Sequence, residues 1–103
     1  MSALPNAMRG ETALEIGGEV LALRPSFAAL VAAEQELGPL FDLVARAADG
    51  KLSLGDLAAL LWHCLVDRDR LSRDALGEAI VAMGLAKVTP VLKAIWQQIL
   101  AGR

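Results

Sequence analysis

The chain has 103 residues, 55% of them hydrophobic and 21% charged, with a formal net charge of −2 at pH 7. This composition suits one globular domain with an apolar core and excludes extensive disorder. Ten basic residues are interspersed among twelve acidic ones, and only 4% of the residues are aromatic. Because no basic stripe or stacking platform accumulates, we expect no nucleic-acid partner.

The single cysteine, Cys64, cannot form a disulfide within the chain, which favours a reducing, cytoplasmic location. The longest apolar run, Leu57–Val66, is about half the length that a membrane span requires, and it contains His63. Residues 1–10 lack the apolar core of a signal peptide. We therefore expect a cytoplasmic protein that does not enter a membrane.

Two alternating runs flank Gly17–Gly18, which predicts a two-stranded antiparallel hairpin, since both glycines can adopt the positive φ of a tight turn. The expected register places Ile16 opposite Glu19, Leu14 opposite Leu21, and Thr12 opposite Leu23. One face then carries four apolar side chains: Leu14, Ile16, Leu21 and Leu23. A hairpin is marginal on its own, so this face must pack on helices.

Helix start and stop signals follow the hairpin. The predicted helices are Phe27–Leu37 after the cap Ser26, Leu40–Ala48 before Asp49–Gly50, a third capped by Ser53 and closed by residues 67–70, a fourth from Ser72 to Met83, and a fifth from Thr89–Pro90 to about Ala101. The predicted fold class is mainly α (α+β), an N-terminal two-stranded antiparallel β-hairpin packed on a bundle of four to five helices. Residues 1–10 are expected to form a flexible tail, and residues 11–103 a single domain.

The third predicted helix is apolar around about two-thirds of its circumference, which favours a central position. Its core-facing residues are expected to be Leu57, Leu61, Cys64 and Leu65. A narrow polar stripe contains Asp56, Ala59, His63 and Asp67, and we expect His63 to be solvated there.

Glu34 falls within the apolar arc of the first helix. Two interpretations are open. Its carboxylate either lies at the rim and reaches water, or accepts hydrogen bonds from a helix start or loop, because a buried charge without partners is costly.

The last predicted helix is cleanly amphipathic, with a stripe wide enough to contact another helix. The candidate partner-binding residues on that stripe are Leu92, Ile95, Trp96 and Ile99. Residues 86–88 are expected to act as a hinge that lets the helix exchange self-burial for partner contact. The alternative is that the stripe simply closes the core.

No pattern of residues indicates catalysis, a metal or a cofactor. The run from Asp49 to Asp56 resembles half of a calcium loop, but alanines occupy the required first and third ligand positions. His63 is the only histidine, and its neighbour Cys64 points about 100° away on a helix, so a zinc site or a Cys–His nucleophile is excluded. We expect neither enzymatic activity nor a small-molecule substrate.

Several motifs, in order and spacing, carry a resemblance from about Asn6 to Ala101. They are R-G-E at Arg9–Glu11, LEIGGEVLAL at Leu14–Leu23, FAALVAAEQELG at Phe27–Gly38, LSLGDLAALLW at Leu52–Trp62 and LSRDALGEAI at Leu71–Ile80. Together they resemble the tail assembly chaperones of gene transfer agents and related tailed phages and prophages, a family sometimes labelled tail tube proteins.

The resemblance implies a protein without an active site that binds the long, helical tape-measure protein during tail assembly and then leaves the particle. Two alternatives stay open: a structural subunit of the tail tube or connector that is retained in the particle, and a small regulatory helical module of a mobile element. Self-association into a homo-oligomer is also left open.

Overall fold

The computed structural model describes residues 11–102, so the predicted tail at residues 1–10 lies outside the described part of the chain. Strand β1 is Thr12–Ile16 and strand β2 is Glu19–Leu23. They pair antiparallel in the predicted register, with Leu14 opposite Leu21, across a turn in which both glycines have positive φ. The hairpin prediction is confirmed residue by residue.

Five α-helices follow the hairpin and confirm the predicted fold class. Their bounds are α1 Phe27–Leu37, α2 Leu40–Ala48, α3 Leu54–Cys64, α4 Arg73–Met83 and α5 Leu85–Ala101, with a 3-10 turn at Arg68–Arg70 between α3 and α4.

Serine caps begin three of these helices, as predicted. The hydroxyl oxygens of Ser26, Ser53 and Ser72 each accept a hydrogen bond, at 3.1 Å, from the backbone N–H three residues later. Each cap satisfies one of the N–H groups that a helix start leaves without an intrahelical acceptor. The positions of α1, α3 and α4 are therefore encoded locally.

The predicted start of the last helix is wrong. α5 begins at Leu85, so Pro90 lies inside it, and Thr89 donates its hydroxyl to the Leu85 carbonyl at 3.0 Å instead of capping. Residues 86–88 form the first turn of α5, with Val88 only 1% exposed, which also overturns the predicted hinge. The chain turns instead at Gly84 (φ 93°), where α4 and α5 meet at 119°.

The prediction relied on Thr89–Pro90, because Thr-Pro is a frequent pattern at helix starts. In the structure the helix begins earlier, and its first turn buries Val88 in the core. An apolar side chain that is fully removed from water contributes about 1.5–3 kcal/mol, which offsets much of the cost of an internal proline.

α3 is the central helix, as predicted. Six of its eleven residues are buried, among them Leu60, Leu61 and Cys64. The prediction for Leu57 is wrong, because that residue is only half-buried at the edge of the core. The apolar hairpin face packs into the same core, with Leu14 and Leu23 fully buried, and β1 lies against α5.

The residues after α3 extend the hairpin. The Arg24 N–H donates to the Cys64 carbonyl at 2.6 Å, and the Val66 N–H donates to the Ala22 carbonyl at 3.0 Å, which forms an antiparallel bridge between Leu23 and Leu65. Leu65, buried as predicted, thus belongs to this bridge and not to α3. The bridge ties α3 to the outer edge of β2.

Within residues 11–102, no single helix is both long and apolar enough to cross a membrane. α4 and α5 together reach that length and hydropathy, but they are bent by 119° at their junction.

Candidate partner-binding groove between α3 and α4

An open groove of about 420 Å³ runs between α3 and α4. Its floor is made of small residues: Gly55 and Ala58 of α3 and Gly77 of α4. A Cβ atom added to Gly77 would lie 4.0 Å from the Ala58 Cβ, an ordinary contact distance. The groove therefore exists because these positions carry almost no side chain.

Large apolar side chains flank the groove in contact with water. Leu54 is 44% exposed on the α3 side, and Val81 is 58% exposed on the α4 side. Side chains of this kind favour burial, by about 25 cal/mol for each Å² of apolar surface removed from water. The groove has the form of a contact surface for an apolar partner segment.

The α4 wall is acidic. Asp74 and Glu78 line the groove one helical turn apart, and neither forms an ion pair with another described residue. Two carboxylates at this spacing repel each other on the helix surface. Arg73 also lines the groove, but its guanidinium is already engaged.

Arg73 belongs to a cluster that fixes α1, α3 and α4 relative to one another. The His63 Nε2 lies 2.8 Å from Glu36 Oε1, and Arg73 donates to the other oxygen of the same carboxylate. His63 is 8% exposed, so the prediction of a solvated histidine is wrong. The C-terminal end of α1 covers the part of the predicted polar stripe on α3 that contains His63. Glu36, in the last turn of α1, supplies the partner for the His63 ring.

The indole of Trp62 completes this cluster. Its Nε1 donates to the Leu71 carbonyl at 3.0 Å, and the Arg73 guanidinium lies 4.9 Å from the ring centroid. The guanidinium of Arg68 lies 5.9 Å from the same ring. Cation–π contacts at such distances stabilise by about 0.5–1 kcal/mol at exposed sites. In the structure these contacts hold the Arg73 guanidinium against Trp62 and Glu36.

Two titratable groups near the cluster are perturbed. Hydrogen bonds from His63 and then Arg73 lower the pKa of the Glu36 carboxyl below its ordinary value. Burial raises the pKa of the Cys64 thiol to about 12, so the thiol stays protonated at neutral pH.

The model of a known family matches residues 9–102, and its description reads "Phage tail tube protein, GTA-gp10". The chain belongs to this phage tail tube protein family. Searches of curated proteins and of solved structures find no match. Family membership establishes a role in the structure or assembly of a phage tail.

The α5 stripe that was predicted to bind a partner faces the core of this phage tail protein. Ile95 is fully buried, while Leu92, Trp96 and Ile99 are half-buried against the same core. The Trp96 Nε1 is buried without a hydrogen-bond partner among the described residues. In this structure the stripe packs against the protein's own core, and its contact with a partner stays a prediction.

Glu34 satisfies both interpretations of its position. The residue is exposed, and its Oε2 accepts a hydrogen bond from the Leu40 N–H, the first of α2, at 3.0 Å. Pro39, which precedes α2, makes no side-chain cap, so Glu34 supplies the missing acceptor. A carboxylate at a helix start is also favoured by the helix dipole.

The incomplete calcium pattern has a structural explanation. The Asp56 carboxylate accepts a hydrogen bond from Arg46 at 2.6 Å, which links α3 to α2, while its backbone N–H donates to Ser53. Within residues 11–102, no three histidine, cysteine, aspartate or glutamate side chains gather in an arrangement that could hold a metal.

Sequence reasoning missed both the groove and the Glu36–His63–Arg73 cluster. In the cluster, Glu36 is separated from His63 by 27 positions in the sequence and from Arg73 by 37 positions, and no local pattern links residues so far apart. The groove had a weak signal, since Gly55 and Gly77 lie within α3 and α4, where glycine costs about 1 kcal/mol relative to alanine.

Proposed function

We propose that this protein is a non-enzymatic tail assembly chaperone that binds the tape-measure protein while the tail is built. The observation that carries the proposal is the open groove between α3 and α4, with its floor of small residues and its exposed rims at Leu54 and Val81. Membership of a phage tail family supports it by supplying the biological setting.

The groove suits a helical partner. An amphipathic helix binds by laying its apolar face in a groove between two helices, and small residues in the floor allow the backbones to approach closely. A long helical protein needs such cover before the tube closes around it, since its apolar stripe would otherwise meet water. A chaperone of this kind requires surface and no chemistry.

The α5 stripe remains part of the proposal as a second contact. Leu92, Ile95, Trp96 and Ile99 can reach a partner only if α5 leaves the core, and the turn at Gly84 is the point about which it would move. The groove, by contrast, is open in the folded protein.

A second candidate function is a tail tube subunit that stays in the particle, and the name of the family favours it. Lasting assemblies of this kind bury roughly 2,000–5,000 Å² per interface. The two candidates differ in where the protein ends up. Quantitative mass spectrometry of purified particles should find almost none of it if it is a chaperone, and many copies per particle if it is a tube subunit.

Binding is tested by co-expressing the chain with the tape-measure protein of the same tail gene cluster and purifying either one through a tag. We expect co-purification with wild type and its loss with Gly77→Leu, which fills the groove. Leucine is a better helix former than glycine, and the Cβ has room, so this variant should fold. Ala45→Leu, at an exposed site on α2, is the matched control. Failure of wild type to co-purify would refute the proposal.

A further inference from the structure

We infer that the groove between α3 and α4 binds a basic amphipathic helix, one whose apolar stripe is flanked by two lysines or arginines a single turn apart. This inference rests on the proposed function, because it specifies the chemistry of the tape-measure segment that the groove would take. It follows from a difference between the two sides of the groove, since the α4 side carries two carboxylates and the α3 side carries no charged residue.

The α4 wall carries two carboxylates that form no ion pair with another described residue. Asp74 and Glu78 lie four residues apart, so their positions on the helix are separated by about 6 Å along its axis. The one cation among the described residues that line the groove, Arg73, is bonded to Glu36 and lies over Trp62. Neither carboxylate is bound to a cation among the described residues, so both are available to a basic occupant of the groove.

The α3 wall carries no charge. The α3 residues that line the groove are Leu54 at the rim and Gly55 and Ala58 in the floor, so an occupant helix would place its small and apolar residues against α3 and its polar edge against α4. Cations at i and i+4 on that edge repeat the 6 Å spacing of Asp74 and Glu78. Charge complementarity thus fixes both the composition of the occupant and its rotation in the groove.

A second copy of this chain does not supply such a helix from its described residues. The cations in its α-helices are Arg46, Arg73, Lys87 and Lys93, and no two of them lie one turn apart on the same helix. The complementary charges must come from another protein.

The test uses overlapping 25-residue peptides that tile the tape-measure protein of the same gene cluster, with binding measured by fluorescence anisotropy. We expect the bound peptides to share an apolar stripe with basic residues at i,i+4. The double variant Asp74→Lys/Glu78→Lys should weaken their binding about tenfold or more, since two ion pairs become two repulsions. Wild-type binding should also weaken as salt is raised from 0.05 to 0.5 M.

The matched control is Glu15→Lys/Asp49→Lys, which makes the same change of net charge at exposed sites away from the groove and should bind as wild type. Because lysine at position 74 opposes the helix dipole of α4, Glu78→Lys alone serves as the second test variant. Replacing the basic pair of a bound peptide by glutamates should restore its binding to the double variant.

Undiminished binding by both groove variants, or bound peptides without basic pairs, would overturn this inference. The proposed function would survive that result if the full-length tape-measure protein still co-purified with wild type and failed to do so with Gly77→Leu. Loss of co-purification with wild type would overturn both.

Discussion

The His63 ring and the Glu36 carboxylate, 2.8 Å apart, join the last turn of α1 to the C-terminal half of α3. The histidine side chain is 10% exposed, whereas the glutamate side chain is 37% exposed. Arg73 of α4 bonds the same carboxylate, so one acidic group holds three helices at a single point. These helices include both walls of the groove.

Replacing that carboxylate should change the acid stability of the protein. Hydrogen bonds lower the pKa of Glu36 in the folded state relative to about 4.5 in the unfolded chain. Its contribution is fully present above pH 4.5 and is lost as the pH falls through the lowered folded pKa, because the unfolded chain takes up the proton first. Urea unfolding of wild type from pH 7 to 3 should show this loss, and Glu36→Gln should flatten that part of the curve.

Glu15→Gln is the control, because Glu15 is exposed on β1 and forms no ion pair with another residue in the described part of the chain. It should leave the acid limb of the stability curve unchanged. A Glu36→Gln curve that stays parallel to wild type across this range would show that the His63 and Arg73 contacts do not stabilise the folded state.

Local signals account for the parts of the fold that could be predicted. Gly17–Gly18 and the alternation around it determine the hairpin register, and serines at positions 26, 53 and 72 mark helix starts, because their physics involves residues within three or four positions. The Glu36–His63–Arg73 cluster could not be predicted this way. Its members meet only after α1, α3 and α4 have packed, and His63 alone on a helical wheel looks exposed.

The two tryptophans should respond differently to the same substitution. The Trp62 Nε1 donates to the Leu71 carbonyl, and its ring faces Arg73, whereas the Trp96 Nε1 is buried without a partner among the described residues. Trp62→Phe removes a hydrogen bond and cation–π contacts, while Trp96→Phe removes an unpaired polar group. We expect Trp62→Phe to lower the free energy of unfolding by about 1–2 kcal/mol more than Trp96→Phe, measured by urea unfolding.

Each variant is the control for the other, because both substitutions remove similar volume from half-buried sites. Equal losses would mean that the Leu71 hydrogen bond and the Arg73 contact contribute nothing net. A larger loss for Trp96→Phe would indicate that its indole N–H has a bonding partner in solution.

Pro90 lies at the sixth position of α5, where it cannot donate an N–H to the Ala86 carbonyl. Internal proline costs about 3 kcal/mol relative to alanine, and the stiffer unfolded chain returns up to about 1 kcal/mol. Pro90→Ala should therefore stabilise the protein by about 1–2 kcal/mol, seen as a higher midpoint in urea.

Pro39→Ala is the matched control, because Pro39 precedes α2 and no intrahelical N–H is required there. It should destabilise slightly, by about 0.4–1 kcal/mol, through greater freedom of the unfolded chain. A neutral or destabilising Pro90→Ala would instead place the start of the last helix in solution at Thr89–Pro90, the position that the sequence pattern favours.

The contribution of the α5 stripe to partner binding depends on Trp96. Its ring is half-buried against a core in which the neighbouring Ile95 is fully buried, so α5 must leave the core before the stripe can bind. Trp96→Ala should lower stability by about 3–5 kcal/mol, and domains of this size have roughly 5–15 kcal/mol to lose. We expect a protein that is still folded by circular dichroism and no longer co-purifies with the tape-measure protein.

Leu100→Ala is the control for that experiment. Leu100 lies on the same helix, is 59% exposed and should affect neither folding nor co-purification. If Trp96→Ala is too unstable to purify, Trp96→Phe keeps most of the apolar contact, and binding is compared at equal amounts of folded protein. A folded Trp96 variant that binds at full strength would remove α5 from the interface and leave the groove between α3 and α4 as the contact, since that surface is open without any movement of the chain.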